Sequence, residues 1–281
     1  MTASTLPSTR PAEPEPLEPD PVRAALRRAN PLADVVREIG GFYATCAETF
    51  RQLFKRPFQW REFFEQAWFI ASVSILPTIF VAFPLCVIVI FELNQVLKEI
   101  GAIDLAGAGA GLAVVREIGP IVAVLVVAGA GATAMCADLG SRKIREELDA
   151  MITLSVNPIH RLVVPRVVAS TVVAVFLNGL VTITGLVGGF IFSVFLQGAT
   201  PGLYVSNLTL LVGLPDFLTS TVKAAVFGLL AGLVGCHLGM NAKGGPKGVG
   251  DAVNQTVVFS FMLLFLANTI ITSIFLELHG S

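Results

Sequence analysis

The chain has 281 residues, of which 54% are hydrophobic and only 14% charged, and its mean hydropathy is +0.77. A soluble domain usually carries about 25% charged residues because its surface faces water, so this composition excludes an ordinary soluble protein and predicts an all-α polytopic membrane protein. The 20 acidic and 19 basic residues nearly cancel, which indicates neither a nucleic-acid partner nor an acidic substrate.

Residues 1–29 alternate proline with acidic residues, most clearly at positions 11–16 and 18–21. Such a segment cannot bury enough apolar area to fold, so we predict a disordered cytoplasmic tail. It contains no apolar run of the kind found in a cleavable signal peptide.

Residues 30–66 are predicted to contain an amphipathic helix that lies in the membrane interface. Asn30 and Pro31 are typical of a helix N-cap and first turn. Apolar residues then recur every three or four positions from Leu32 to Phe54, and the opposite face is too charged to cross a bilayer. The alternative is an ordinary surface helix packed on a protein core. Basic and aromatic residues near the first span favour the membrane: Arg51, Lys55, Arg56, Arg61, Phe58, Trp60 and Trp68.

Five segments with few or no charged residues are long enough to cross a bilayer, which takes about 20 residues. They are predicted at about 67–91, 105–137, 165–196, 217–238 and 252–276. Residues 67–281 would then form one five-span domain. Pro77 and Pro84 lie inside the first span and are expected to kink it.

The distribution of Lys and Arg predicts the orientation, because cytoplasmic loops are enriched in both. Nine of these residues precede position 67, five lie in 138–166 and two in 238–253. In a five-span chain these segments share one side of the membrane, which we term the basic side. We therefore predict a cytoplasmic N-terminus and an external C-terminus.

Three charged residues lie close to or within predicted spans. Arg116 and Glu117 stand at the outer end of the second span, and Lys223 lies near the outer start of the fourth. Ionised groups at such positions are costly and are therefore candidates for function. The Arg-Glu pair could meet a lipid headgroup, meet each other or simply be solvated, and Lys223 could snorkel to the interface without any role.

A short amphipathic helix is predicted at about 142–156, between the second and third spans. Ile144, Leu148 and Ile152 share one helical face, and Arg145 and Asp149 lie on another. A helix at this position could dock into a cytosolic motor domain and transmit its movement to the spans. It could also simply turn the chain between two spans, and the pattern alone does not separate these readings.

No motif for catalysis or for a bound cofactor is evident. The glycine-rich segment Gly239–Gly250 matches no phosphate-binding spacing and is better explained as a tight turn with basic residues near the headgroups. Cysteines at 46, 86, 136 and 236 are isolated, and the three histidines are scattered, so neither a metal site nor a disulfide framework is predicted. If ATP drives this protein, then another polypeptide binds the ATP and its Mg²⁺.

Two ordered blocks of motifs run through residues 115–169 and 223–258. They are Arg116-Glu117-Ile118-Gly119-Pro120, Ala137-Asp138-Leu139-Gly140, Glu146-Glu147-Leu148-Asp149-Ala150-Met151, Asn157-Pro158, Val164-Pro165-Arg166, Gly235-Cys236, Gly244-Gly245 and Gly248-Val249-Gly250. Through them the chain resembles the MlaE/YrbE permease family over roughly residues 32–276. The Pro-rich tail is similar to that of the YrbE permeases of actinobacterial Mce systems.

The resemblance implies an assembly in the inner (plasma) membrane. A second YrbE-type permease, expected to differ from this chain and so to form a heterodimer, would pair with it. A cytosolic ABC ATPase dimer would supply the energy, and an external ring or tube of MCE-domain proteins would conduct lipid.

The resemblance also implies roles for particular residues. The residues matching the family's ATPase-coupling helix are Glu146, Glu147, Leu148, Asp149, Ala150 and Met151. The residues that would line the substrate pathway are Arg116, Glu117, Pro77, Phe80 and Pro84.

The chain departs from the family pattern at three places. The family often has Glu-Gln at Glu146-Glu147, an arginine within residues 129–131 and an aromatic residue at His237. These departures are compatible with one member of an unequal permease pair.

The resulting hypothesis is the membrane-spanning permease of an ATP-driven lipid transporter that imports fatty acids, sterols or related lipids. One alternative is a scaffold that only anchors an external lipid-binding assembly. Another is a membrane enzyme that acts on lipid, although no catalytic constellation is visible in the sequence.

Overall fold

The computed structural model describes residues 31–55 and 57–279, so the predictions for residues 1–29 and for Asn30 lie outside the described residues. The chain divides into two compact units, 1–43 and 44–281. The described part of the first unit is helical and contains an edge-to-face ring pair, Phe42 and Tyr43, with centroids 6.3 Å apart.

The described residues form helices and no strand. In chain order the helices are α1 (Pro31–Leu53), α2 (Trp60–Glu99), α3 (Ile103–Ile144), α4 (Glu147–Thr153), α5 (Ile159–Phe195), α6 (Pro201–Asn207), α7 (Leu214–Met240) and α8 (Gly245–His279). Helices α2, α3, α5, α7 and α8 are long and apolar enough to cross a membrane. The prediction of an all-α polytopic protein with five spanning helices is confirmed.

The spanning helices are longer than the apolar runs that identified them. Helix α2 has 40 residues and at ~1.5 Å per residue is about 60 Å long, twice the ~30 Å hydrocarbon thickness. Its ends therefore extend beyond the apolar layer, where the charged residues at both ends can be solvated. The helix continues through Pro77 and Pro84, each of which removes one backbone donor.

Helix α3 lies at the centre of the bundle, and α8 lies at its edge. In the most apolar 18-residue stretch of each helix, 61% of α3 is buried, compared with 11% of α8. Helix α2 packs mainly on α5, and α7 packs on α3, α5 and α8. Buried residues recur every four positions along α2. Most of them have small side chains, which allow close helix approach: Ile70, Ser74, Thr78, Ala82, Cys86, Ile90 and Asn94.

The Gly/Ala-rich stretch before the second apolar run belongs to α3. It begins with the 3₁₀ turn Ile103–Leu105 and passes through two π-helical stretches, Leu112–Ile118 and Val127–Ala132. Because the helix is continuous from 103 to 144, this stretch forms the beginning of the second spanning helix. Since π-helical turns often mark functional positions, Leu112–Ile118 directs attention to Arg116 and Glu117.

One short helix was not predicted. Helix α6 begins at Pro201 after Thr200, and its Tyr204 is buried. A side chain at Gly107 would collide with the Tyr204 carbonyl, so α6 packs directly on the backbone of α3. The Thr-Pro pair at its start is a helix-initiation signal.

Candidate functional sites

The first candidate site is a cluster of charges where α3 meets α7. The Lys223 side chain is 1% exposed, and its Nζ donates to Glu117 Oε1 at 2.9 Å and to the Arg116 carbonyl at 3.2 Å. The alternative in which Lys223 snorkels to the membrane interface is therefore wrong. An ammonium removed from water needs an ionised partner and further acceptors, and Lys223 has both.

Arg116 and Glu117 do not pair with each other. The Arg116 Nε lies 3.9 Å from Asp216 Oδ1, and its guanidinium carbon lies 4.9 Å from the centre of the Phe275 ring. Three helices, α3, α7 and α8, thus converge on two ion pairs and one cation–π contact. These adjacent residues of α3 have different partners, so the alternative in which they meet each other is not found.

Local structure holds each charged group in place. Asp216 Oδ2 accepts the Gly213 backbone N–H at 2.9 Å, so this carboxylate also caps the start of α7. The Arg116 carbonyl lies in the π-helical stretch Leu112–Ile118, and Lys223 occupies that acceptor. The cluster is therefore built into the ends and irregular turns of its helices.

The site combines a buried, fixed cation with two groups that reach the surface. Glu117 is 35% exposed and Arg116 is partly exposed, while Lys223 is enclosed. One exposed cation and one exposed carboxylate beside apolar helices can recognise a polar headgroup whose hydrocarbon part contacts the bundle. Lys223 would position Glu117 and would not itself reach a ligand.

The predicted pathway residues of α2 lie elsewhere on the molecule. Pro77, Phe80 and Pro84 are exposed, and Phe80 is 70% exposed. They lie on the side of α2 that is not packed on α5, whereas Arg116 contacts α7 and α8. Within the described chain these residues form an open apolar surface and do not share a pocket with the charge cluster.

The second candidate site is the segment between α3 and α5. Helix α4 is Glu147–Thr153, so the predicted single helix at 142–156 is wrong in its bounds. The chain bends at Glu146, which has φ 59°, and residues 142–144 belong to α3. A left-handed residue cannot continue a right-handed helix, and no glycine in the sequence signalled this bend.

Two acidic residues of this segment, Glu147 and Asp149, are paired with basic residues of the same segment. Lys143 Nζ contacts the Asp149 carboxylate at 2.8 and 2.9 Å, and Arg145 Nε contacts Glu147 Oε1 at 2.8 Å. Exposed pairs of this kind add little stability, but they fix the orientation of α4 relative to the end of α3.

Three apolar residues in this segment differ sharply in exposure. Leu148 is buried, so it anchors α4 to its own chain. Ile152 is 59% exposed and Leu154 is 75% exposed. Exposed apolar side chains next to fixed charges form a surface suited to a protein partner. Neither Ile152 nor Leu154 was among the residues predicted to couple to an ATPase.

Sequence analysis also missed a buried arginine on the basic side. The Arg166 side chain is 0% exposed, and its Nη2 contacts Asp138 Oδ2 at 2.7 Å and Glu62 Oε1 at 3.3 Å. Its Nη1 donates to the Leu162 carbonyl at 3.0 Å. Arg166 therefore joins the first turn of α2 to α3 and α5 directly beside the α4 segment. Sequence analysis missed it because an arginine at one end of an apolar run is ordinarily an interfacial one.

Across residues 31–55 and 57–279, no three His, Cys, Asp or Glu side chains come together in a way that could hold a metal ion. The segment Gly239–Gly250 forms the end of α7, a short linker and the start of α8. Gly244 and Gly245, both with positive φ, lie at this turn. This geometry agrees with the tight-turn reading of that segment.

Comparison with known proteins adds independent information. A family model described as Permease MlaE matches residues 63–274. A probable ABC transporter permease protein of Synechocystis sp. is 33% identical over 177 residues, which are 62% of this chain and 67% of that protein. A probable ABC transporter permease protein of Rickettsia typhi is 33% identical over 163 residues, 58% of this chain and 63% of that protein.

A plant protein is also similar. Protein trigalactosyldiacylglycerol 1, chloroplastic, of Arabidopsis thaliana is 30% identical over 169 residues, which are 60% of this chain and 48% of that protein. The matched stretch thus spans between 48% and 67% of these three relatives' own lengths.

Proposed function

Because the chain belongs to the MlaE permease family, whose members named above include ABC transporter permeases, we propose that it is the membrane-spanning subunit of an ATP-driven lipid transporter. In such a transporter the ATPase activity belongs to a separate subunit. The ATP and Mg²⁺ would then be bound by that partner.

The charge cluster of Arg116, Glu117, Asp216 and Lys223 is the observation that supports lipid as the cargo. It places charged groups against apolar helices, which suits an amphiphile better than an ion. The relative from Arabidopsis thaliana is named for trigalactosyldiacylglycerol, a lipid with a polar headgroup. Fatty acids, sterols or related lipids, imported with the help of an external MCE-domain ring or tube, are the substrates we propose.

The exposed apolar residues Ile152 and Leu154 support a docking role for α4. An ABC ATPase dimer on the cytoplasmic side would receive this helix, with Glu146–Met151 at the contact. This arrangement requires the basic side to be cytoplasmic, in the inner (plasma) membrane. A second permease, different from this chain, would complete the pathway along the exposed surface of α2 that carries Pro77, Phe80 and Pro84.

The test is reconstitution of the permease with its ATPase in vesicles that contain, in separate experiments, a fluorescent fatty acid, a fluorescent sterol or a fluorescent phospholipid. We expect ATP-dependent movement of the lipid, and we expect Lys223→Met to slow it at least tenfold because Glu117 loses its positioning partner. Lys98→Met removes an exposed lysine at the end of α2 and should leave the rate unchanged. Absence of ATP-dependent movement in the unmodified complex would instead indicate a scaffold.

A further inference from the structure

A cleft on the basic side lies between the last turn of α1 and the helices α5 and α7. Its volume is about 180 Å³. It involves only residues of the larger unit, at the end of α1, the beginning of α5 and the second half of α7. The residues that line it are Thr49, Phe50, Leu53, Val164, Val167, Val168, Thr171, Val172, Leu229 and Leu233.

The lining of this cleft is hydrocarbon in character. Its two hydroxyl groups are already used within their own helices, because Thr49 donates to the Thr45 carbonyl at 2.7 Å and Thr171 donates to the Val167 carbonyl at 2.8 Å. Apolar cavities of about 150 Å³ in proteins stay dry and bind hydrocarbon guests. The cleft therefore favours an apolar segment over water.

Polar contacts at the edges of the cleft keep it from collapsing. Thr45 Oγ1 lies 2.8 Å from His237 Nδ1, which attaches α1 to α7. The His160 Nε2 lies 3.4 Å from the Lys55 carbonyl, which brings the segment after α1 to the beginning of α5. These two attachments join the end of α1, from Thr45 onward, to its neighbours in the larger unit, while the side chains of the cleft leave space unfilled.

Most of the exposed charged residues that neighbour the lining residues in the sequence are basic. Lys55 follows the cleft residue Leu53, Arg161 precedes Val164, and both side chains are exposed. Glu48 is engaged by Gln52 and Arg51, whose hydrogen bonds hold the pKa of this carboxyl below its ordinary value. One carboxylate and three cations (Glu48, Arg51, Lys55 and Arg161) leave a net charge of +2, which favours an anionic headgroup.

We propose that this cleft binds an acyl chain of an anionic phospholipid from the leaflet on the basic side, with the phosphate held by Lys55 and Arg161. This lipid fills the space beside the last turn of α1 and attaches that turn to α5 and α7. It is distinct from the transported lipid, because Arg116 and Lys223 lie in the first halves of α3 and α7, whereas the lining residues Leu229 and Leu233 lie in the second half of α7. The proposal does not depend on ATP or on transport.

The first test counts phospholipids retained by the purified permease, without nucleotide, by native mass spectrometry. The protein is taken from vesicles that contain equal amounts of dioleoylphosphatidylglycerol and dioleoylphosphatidylcholine. We expect Val168→Trp, which fills the cleft, to lose one retained phosphatidylglycerol per chain. Ile183→Trp, on an exposed position of the same helix, should retain it. Equal retention by all three proteins would overturn the proposal.

The second test concerns the headgroup and needs no bulky substitution. The double variant Lys55→Gln/Arg161→Gln should reduce the preference for phosphatidylglycerol over phosphatidylcholine by at least tenfold. Lys247→Gln, an exposed lysine near the start of α8, should not change it. A preference that survives the double variant would contradict the proposed phosphate contacts.

A third measurement uses the unmodified chain, so that it does not depend on any variant folding. A phosphatidylglycerol with a photoreactive diazirine in its acyl chain should cross-link mainly to peptides that contain residues 164–172 and 229–233. Even labelling of all lipid-facing helices would show ordinary bilayer contact and overturn the proposal. The proteoliposome transport assay is a separate experiment. A negative result for lipid binding in the cleft would therefore leave the transport function standing, and a negative transport result would leave the cleft proposal standing.

Discussion

The buried cations of this membrane protein are stabilised by contacts with individual carboxylates. Lys223 and Arg166 are both buried, and each is held by carboxylates that are themselves only partly buried. Removing one member of such a pair therefore has unequal consequences. A partly exposed carboxylate can regain water, whereas an enclosed cation cannot.

The pair of Lys223 and Glu117 makes this asymmetry measurable. We expect Glu117→Gln to lower the free energy of unfolding by about 3 kcal/mol, because it leaves an uncompensated buried charge. Lys223→Met should cost less than half as much, since Glu117 can be solvated. The double variant should resemble Lys223→Met alone. The measurement is equilibrium unfolding in lipid nanodiscs, and equal losses for the two single variants would contradict the account.

Glu146 offers a second test at the scale of one residue. Its left-handed backbone costs a non-glycine residue about 1–2 kcal/mol, so Glu146→Gly should leave the stability of α4 unchanged or raise it by up to about 1 kcal/mol after the entropic penalty of glycine. Ala150→Gly, in the same helix but with an ordinary conformation, should lower it by about 1 kcal/mol. Amide hydrogen exchange of α4 measures both, and equal losses would count against the bend.

At the scale of elements, the residues in and around α4 have different structural roles. Helix α4 is anchored by Leu148 and oriented by ion pairs to Lys143 and Arg145, and it exposes Ile152 and Leu154 to a partner. The Arg166 cluster lies beside it and joins α2, α3 and α5. Arg142 connects the two clusters, because it contacts Asp138 at 3.3 Å and Glu147 of α4 at 4.0 Å.

We expect Ile152→Asp and Leu154→Asp each to reduce recovery of the ATPase with the purified permease at least tenfold, because an exposed apolar contact is replaced by a charge. Leu148→Asp should instead lower the amount of folded permease, because that residue is buried. Leu210→Asp changes an exposed apolar residue between α6 and α7 and serves as the control. Undiminished ATPase recovery with both exposed-site variants would exclude α4 as the docking helix.

Packing of the spanning helices gives another prediction. A Cβ on Gly235 would lie 2.6 Å from the Ala132 carbonyl, so Gly235→Ala must push α7 away from α3 and should cost about 1–3 kcal/mol. A Cβ on Gly179 would meet no atom within 4 Å, so Gly179→Ala should gain up to about 1 kcal/mol from helix propensity. Thermal unfolding in nanodiscs compares the two, and a loss with Gly179→Ala equal to that with Gly235→Ala would contradict this packing.

For the molecule as a whole, the class of fold was predictable because the bilayer sets a length and excludes charge. The five apolar runs therefore identified five spanning helices. The bend at Glu146 was not predictable, because it occurs at a residue type that ordinarily continues a helix. The partners of Lys223 were not predictable either, because residues 107 and 106 positions apart meet only when α3 packs on α7.

The orientation of the whole chain is the claim on which the docking role of α4 depends. The chain has one half-buried cysteine, Cys46, whose pKa is raised by burial, and three buried ones. Cys46→Ser therefore provides a suitable background for single cysteines introduced as Glu147→Cys in α4 and Leu210→Cys between α6 and α7. Both positions are exposed enough to react.

A membrane-impermeant maleimide applied to intact cells is the most direct measurement. We predict labelling of Leu210→Cys on intact cells and labelling of Glu147→Cys only after the membrane is permeabilised. Labelling of Glu147→Cys from outside intact cells would place α4 where no cytosolic ATPase can bind, and would contradict the proposed transporter.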